Sequence, residues 1–452
     1  MAELGRLLPD ITVSPPGAVC ERYIEILAST ECLTLTARRA RRREPSGLSH
    51  DPIVWSAARG ANVIDADGNR YVDLTSGFGA AAVGHGHPKV VEAIKLQAGK
   101  LLHALGDVHP SETKVQLLER MAQLAPFEHA RVILGLNGSD AIEAALKTAA
   151  LATRRPGVLA FDGGYHGLSY GALATCGYKE SFRSCFAQQL GRHVVLAPYP
   201  HRTTSDRNSC TNRAIQAVES CWDRARLPIG AVLVEPIQGR GGVVQPPEGF
   251  LAELDRLCKE REALFVVDEI YTGLGRCGSW WRCEDEGVEP DLICAGKALG
   301  GGLPISACIG KAEVMAAWGG PGQEALHTAT FFGHPVCCAA ALATLDVIDK
   351  EKLCQRAEKL GDKLLSLLRE SCGSSPSVVE VRGAGMLIGI ELKNQAHAVA
   401  IVRRLLEKGY LTLPAGVNND VISITPPLTI APELIEGFVE ALDEALFDVA
   451  SL

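Results

Sequence analysis

The sequence predicts an α/β protein, with a large domain built on a mostly parallel central sheet and a smaller α+β domain at its C-terminal end. Three observations carry this. Short apolar runs alternate with helix-like segments through the middle of the chain, the pattern of a sheet covered on both faces. After about residue 335 the alternation gives way to longer helical segments around one strand pair. The chain has 452 residues, 47% hydrophobic and 22% charged, a globular composition too long for one small core, so roughly two or three domains are expected.

Taken in order, the first 45 or so residues read as irregular and end in a basic run, Arg38-Arg39-Ala40-Arg41-Arg42-Arg43, a solvated helix end in an otherwise acidic chain. In VIDADGNRYVDL, Asp67-Gly68 lies between two alternating runs, a hairpin signature. The strand candidates are Arg131–Leu136, Val158–Phe161, His193–Ala197, Ala231–Glu235, Leu264–Asp268, Leu292–Ala295 and Ile305–Ile309, with helices over Asp140–Arg154 and Gly249–Arg261. A helical stretch (Pro335–Glu370), a strand pair (Val378–Glu391), a helix (Ala396–Lys408) and an amphipathic helix (Pro432–Val449) follow. The expected division is an N-terminal segment over 1–60 packing on the small domain, a large domain over 61–335 and a small domain over 336–452.

Composition excludes several classes. Forty-five Lys+Arg against 53 Asp+Glu leave a net charge of −8, which argues against a general nucleic-acid binder. No apolar run approaches the ~18–20 residues of a membrane span, and the N-terminus lacks the basic start and apolar stretch of a signal peptide. Fifteen cysteines without a CxxC pair read as free thiols, with Cys258, Cys294, Cys308, Cys337 and Cys338 in apolar surroundings. No metal site is expected; His85 and His87 of GHGHP read as turn polarity. The reducing cytosol fits this cysteine usage.

The chemistry concentrates in three segments. Leu264-Phe-Val-Val-Asp268-Glu269 is an apolar strand ending in two acids, and in open α/β sheets ligands bind at the carboxyl ends of strands. The glycines that follow, Gly273-Leu-Gly-Arg-Cys-Gly278, match GxGxxG. They are not followed by a helix, however, and the acids would repel a pyrophosphate. Asp291-Leu-Ile-Cys-Ala-Gly-Lys297 delivers one lysine to a strand end. Alone it reads as a surface lysine in a glycine loop; a buried Asp268 opposite it is what pyridoxal phosphate needs to stay protonated at its ring nitrogen. Asn137-Gly138-Ser139-Asp140 opens a helix and reads either as a phosphate cradle or as a capping pair.

At these residues the chain resembles the class III, or ω-type, pyridoxal-phosphate aminotransferases of fold type I, from about Pro52 to the C-terminus. The resemblance is carried by Gly77-Phe-Gly79 with Gly84-His-Gly-His-Pro88, Asn137-Gly-Ser139-Asp-Ala, Gly164-Tyr165-His166-Gly167, Glu235-Pro-Ile-Gln238-Gly, Val267-Asp268-Glu269-Ile270, Gly296-Lys297, Thr330-Phe-Phe-Gly333-His-Pro335 and Val381-Arg382-Gly383.

The resemblance implies pyridoxal 5′-phosphate as cofactor, held on Lys297 as a Schiff base, with Lys297 later shuttling the substrate proton. Asp268 would pair with the ring nitrogen, Gly138 and Ser139 hold the phosphate, Tyr165 stack on one ring face and Ile270 on the other. Tyr271 stands where the family often has Gln. Thr330 would reach the phosphate of a neighbouring subunit, which implies a homodimer with shared sites. Arg382, Arg240 and Phe78 fall on the substrate side, with Arg382 expected to clamp a carboxylate. His166 is expected to be a structural hydrogen-bonder.

Two departures from the 4-aminobutyrate and ornithine enzymes stand out: Leu168 where an arginine commonly grips a distal carboxylate, and Arg240 where a glutamate normally faces the carboxylate-binding arginine. They point to amino acids with an apolar or weakly polar side chain. The expected activity is transfer of an amino group to a 2-oxo acid such as pyruvate or 2-oxoglutarate. A racemase, aminomutase or decarboxylase would use the same lysine and aspartate.

Overall fold

The computed structural model describes residues 4–36, 51–201, 207–320, 322, 324–373 and 375–450, so the basic run Arg38–Arg43 lies outside the described residues. The N-terminal segment is not irregular: Ala18–Thr30 is a helix. Its cap explains why local sequence hides it. Gly17 offers no capping side chain, and the first amides are satisfied instead from the distant hairpin. Asp67 Oδ1 accepts from Val19 N at 2.7 Å and Oδ2 from Cys20 N at 2.9 Å.

That hairpin forms as its turn residues require. Strands β1 (Trp55–Arg59), β2 (Asn62–Asp65) and β3 (Arg70–Asp73) are antiparallel neighbours. Gly68 takes the left-handed conformation, φ +91°, that the turn needs.

The central sheet has seven strands: β4 (Ala130–Gly135), β5 (Gly157–Phe161), β6 (Val194–Ala197), β7 (Ile229–Val234), β8 (Leu264–Asp268), β9 (Leu292–Ala295) and β10 (Ser306–Lys311), in the order β4-β10-β9-β8-β7-β5-β6. Strands β5 to β9 pair parallel, and β10 runs antiparallel between β9 and β4. Period-two alternation assigns the faces. Ala231, Leu233 and Val266 pack with Ala141, Ile142 and Ala145 of helix Gly138–Thr153 on one face. Val232, Val234, Phe265 and Val267 join Phe250 and Leu254 on the other. Asp268 has the parity of Val266, so its carboxylate emerges on the face that helix Gly138–Thr153 covers.

The stretch expected over Pro335–Glu370 is two helices, Pro335–Lys350 and Leu353–Cys372, broken where Lys352 turns left-handed at φ +52°. The remaining strands are β11 (Val378–Ala384), β12 (Leu387–Leu392), β13 (Tyr410–Leu411), β14 (Leu413–Ala415) and β15 (Val421–Ile424), and helices Gln395–Glu407 and Pro432–Ala450 complete the chain. Strands β11, β12, β15 and β14 form one sheet. β13 pairs parallel with β3, tying the C-terminal part to the N-terminal hairpin. The three last strands escape the sequence because two to four residues are too few to show a period. Among the described residues no helix is long and apolar enough to cross a membrane. Among the described residues no disulfide is present, and the five cysteines expected in apolar surroundings are buried.

Candidate active site

Three adjacent parallel strands deliver three ionisable side chains to one edge of the sheet: Glu235 just after β7, Asp268 ending β8 and Lys297 two residues past β9. The edge is the carboxyl one, where the strand-to-helix loops open a crevice. Asp268 is 3% exposed. Its Oδ2 lies 2.7 Å from His166 Nδ1 and its Oδ1 accepts from Ile270 N at 3.0 Å. Burial, the largest influence on His166, favours the neutral ring, but the hydrogen bond and charge of Asp268 outweigh it and raise the imidazole above its ordinary pKa. The expected structural role of His166 is met: it is the buried donor that holds this carboxylate.

Glu235 is buried too, and desolvation pushes its carboxyl up to about 7. Its two oxygens brace the loops around it, Oε1 accepting from Tyr165 N at 2.8 Å and Oε2 from Gly239 N at 3.1 Å.

Lys297 is partly buried and sits in a left-handed backbone, φ +38°, a strained conformation for a residue with a side chain. Its Nζ lies 3.7 Å from the centroid of the Tyr271 ring. Desolvation lowers its pKa to about 8, against the opposing pull of Asp268 and Glu235. A lysine so placed is a neutral nucleophile about a tenth of the time at pH 7, far more often than an ordinary lysine. Tyr271 is gripped from both sides, since a Cβ on Gly79 would come within 2.8 Å of its ring and one on Gly239 within 2.2 Å. The Tyr271 hydroxyl reaches Thr425 Oγ1 at 3.3 Å.

At the other end of the crevice, Asn137 and Asp140 form a capping box on helix Gly138–Thr153. The capping reading of these two residues is therefore met, and it leaves the amides of Gly138 and Ser139, which precede any intrahelical bond, at the helix N-terminus. Ile270 packs over Gly138, where an added Cβ would meet its Cδ1 at 3.0 Å, and over Gly296 at 3.4 Å. Ser139 Oγ accepts from Leu168 N at 3.2 Å. Tyr165 makes a T-shaped pair with Tyr178 at 6.0 Å, and the Arg240 guanidinium carbon lies 4.7 Å from the Tyr165 centroid and 5.1 Å from that of Tyr178.

The structure thus gathers Lys297, Asp268, Gly138, Ser139, Tyr165, Ile270 and Arg240 around one crevice. Phe78 stands at its rim, 59% exposed, in the left-handed run Ser76–Gly79 that brings Gly79 within reach of Lys297. Thr330 is not gathered: it is exposed in the irregular segment before helix Pro335–Lys350 and makes none of these contacts.

Arg382 requires a correction. It is 5% exposed and fully engaged. Nη1 pairs with Glu380 Oε2 at 2.7 Å and with Glu391, Nε donates to the carbonyls of Gly242 (3.2 Å) and Val243 (3.1 Å), and Nη2 to Gly242 O at 2.7 Å. A guanidinium so committed has no fork left for a substrate carboxylate. Its job is to hold the turn that follows Arg240, where Gly242 and Val243 are left-handed at φ +116° and +53°. Arg382→Ala is accordingly expected to destabilise the fold by about 3 kcal/mol in urea unfolding, because two carbonyls and two carboxylates lose a buried donor.

Sequence reasoning assigned no role to Glu235, Tyr178 or Arg276. Glu235 stood in the EPIQG motif, and a glutamate closing an apolar strand is the signal that could have found it. Arg276, 1% exposed, donates to the carbonyls of Met386 (3.1 Å) and Pro426 (2.6 Å), so the GxGxxG glycines serve packing around a buried arginine. Nothing local predicts those partners, which lie 110 and 150 residues away.

Comparison with known proteins agrees with this geometry. An alanine/serine racemase of Pyrococcus horikoshii is 33% identical over 97% of this chain and 93% of its own. A 4-aminobutyrate aminotransferase of Mycobacterium leprae is 34% identical over 91% of this chain and 95% of its own. Among solved structures, the ornithine aminotransferase from Toxoplasma gondii, described with pyridoxal phosphate at partial occupancy in its active site, superposes with a TM-score of 0.80 at 29% identity over 95% of each chain. Residues 46–446 match the family described as aminotransferase class-III. A sheet edge bearing Asp268 and Lys297, inside a match that runs nearly the length of the chain, places this protein among the class-III aminotransferases, which depend on pyridoxal phosphate.

Proposed function

We propose that the protein moves an amino group from an amino-acid or amine donor to a 2-oxo acid such as pyruvate or 2-oxoglutarate, with Lys297 and Asp268 as its catalytic residues. The observation that carries this is the pairing of a low-pKa lysine with a buried carboxylate across adjacent strand ends. The residues suit pyridoxal phosphate. Gly138 lets Ile270 pack close against the backbone, an added Cβ meeting its Cδ1 at 3.0 Å, the helix N-terminus there suits a phosphate, and an amine and an acid stand ready for the aldehyde and the ring nitrogen. When bound, the cofactor supplies an electron sink.

In this reading Gly138 and Ser139 would hold the phosphate, with Tyr165 and Ile270 packing beside the cofactor. Asp268, locked by His166, would keep the ring nitrogen protonated. Lys297 Nζ would hold the cofactor and would take and return the substrate proton. Tyr271 supports the lysine from below. Because the free amine grows as pH passes through about 8, cofactor uptake by the apoprotein is expected to accelerate through that pH. Stopped-flow absorbance would follow it, and an uptake rate flat from about pH 7 to 9 would contradict the lysine's assigned state.

The exposed Thr330 is best accommodated as a phosphate contact reaching a second subunit, so the working unit is a homodimer. Mixed dimers of Thr330→Ala and Lys297→Ala chains are then expected to carry one intact site. Recovery of part of the wild-type activity on mixing checks this, and no recovery with mixing confirmed rejects it. The free thiols suit the cytosol, where we place the enzyme.

The Pyrococcus relative's name favours a second reading, racemisation, on the same residues. One assay separates them. A transferase releases 2-oxo acid from a donor only when an acceptor is present, whereas a racemase inverts the amino acid without one.

A further inference from the structure

With Arg382 committed elsewhere, the pocket still needs a cation for the carboxylate of a 2-oxo acid. Two guanidinium groups act on the Lys297 ammonium, those of Arg240 and Arg276. Arg276 is 1% exposed; its Nη1 is bonded to carbonyls behind the site and its Nη2 is buried without a hydrogen-bond partner. Arg240 differs in being partly exposed and in touching the aromatic wall. Its aromatic neighbours, Tyr165 and Tyr178, leave its charge without an ion-pair partner among the described residues, and its Nε is buried with no hydrogen-bond partner. The chain places it close to the chemistry: the preceding Gly239 rests on the Tyr271 ring, and Lys297 Nζ lies over that same ring.

A second cation stands beside it. Lys179 Nζ lies 5.1 Å from the Tyr178 centroid and 3.2 Å from Asn419 Oδ1. Tyr178 donates its hydroxyl to Gly416 O at 3.0 Å, and Gly416 N donates to Arg240 O at 3.0 Å, so the loop around Gly416 and Asn419 fixes this wall. One acid, Asp420, is near enough to influence Tyr178 and Lys179, yet it forms no ion pair with either cation among the described residues. The wall therefore carries two positive charges, one of them a buried guanidinium donor without an acceptor, a state that costs free energy until an anion arrives.

We propose that Arg240, assisted by Lys179, is the carboxylate anchor of the substrate pocket, so that the enzyme takes amino acids and 2-oxo acids in preference to simple amines. This rests on the aminotransferase reading above, in which the acceptor is a 2-oxo acid. The planar fork suits a carboxylate, and the rings of Tyr165 and Tyr178 hold it in place. Leu168, three residues after Tyr165, is exposed and adds an apolar side chain rather than a second charge to this loop.

The test uses the cofactor-loaded enzyme and calorimetric titration with propionate and with its neutral analogue propionamide, so the readout does not depend on turnover. Wild type is expected to bind propionate saturably and to bind propionamide at least about tenfold more weakly; Arg240→Met should weaken propionate by roughly 10- to 100-fold, with Arg240→Lys between the two. Lys179→Met, farther from the reacting atoms, should cost about threefold to tenfold and supplies the answer should Arg240→Met fail to retain cofactor. Equal binding of acid and amide by wild type, or propionate affinity within about threefold of wild type in both Met variants, overturns the anchor. The two readings fail separately. An enzyme that loads cofactor and transfers amino groups but ignores Arg240→Met refutes only the anchor, whereas a wild type that takes up no pyridoxal phosphate refutes the function itself.

Discussion

Lys297→Ala is expected to lose at least about a thousandfold in turnover and to carry no cofactor on the protein after borohydride reduction, since one side chain supplies both the covalent anchor and the proton carrier. Lys311 is not a substitute. Lys311 also ends a strand and lies 3.0 Å from an acid, Asp291. However, β10 runs antiparallel, so that pair sits at the amino-terminal edge of the parallel strands. The substitution should leave the fold intact, and linkage gives its sign. The folded-state pKa of Lys297, about 8, lies below the ordinary lysine value of 10.5. Between those values the unfolded chain binds the extra proton, so the lysine's contribution to stability rises with pH and is a penalty at pH 7. The Ala variant should therefore match or exceed the wild-type apoprotein in urea unfolding at neutral pH, and the difference should shrink by about pH 9.5. A cofactor still trapped on the variant would sink the assignment.

The central sheet was legible in the sequence because its strands are nearly continuous apolar runs, and β8 and β9 have the expected bounds. What closed those strands was legible too: Asp268 and Lys297 are polar residues at the ends of apolar runs, a contrast that needs no partner to be seen. Features fixed by distant residues were not legible. Helix Ala18–Thr30 takes its cap from Asp67. Arg240 and Arg382 look alike in sequence, and only their neighbours tell them apart. Arg382 meets Glu380 and Glu391 across the β11–β12 pair, whereas Arg240 meets aromatic rings. A motif names an arginine without saying whether its charge is already answered. Burial of charge is a tertiary property, and it divides a structural guanidinium from one available to substrate.

Asp268→Asn is expected to keep fold and cofactor while losing on the order of 10²- to 10⁴-fold in rate. Asparagine is close to isosteric and its carbonyl can still accept from Ile270 N. Its amide can face His166 Nδ1 only if that nitrogen accepts, which forces the imidazole into its neutral form. Two effects follow from one substitution: the ring nitrogen loses the anion that keeps it protonated, and His166 loses the carboxylate that outweighs its burial. They can be told apart. His166→Gln keeps the Asp268 charge and a donor toward it, so it should cost much less, about tenfold. The decisive comparison measures single-turnover rates of both variants together with the His166 titration in Asp268→Asn. A rate within about threefold of wild type in Asp268→Asn removes the aspartate from the mechanism. Equal losses in the two variants would instead assign the effect to the histidine, with Asp268 serving only to hold it.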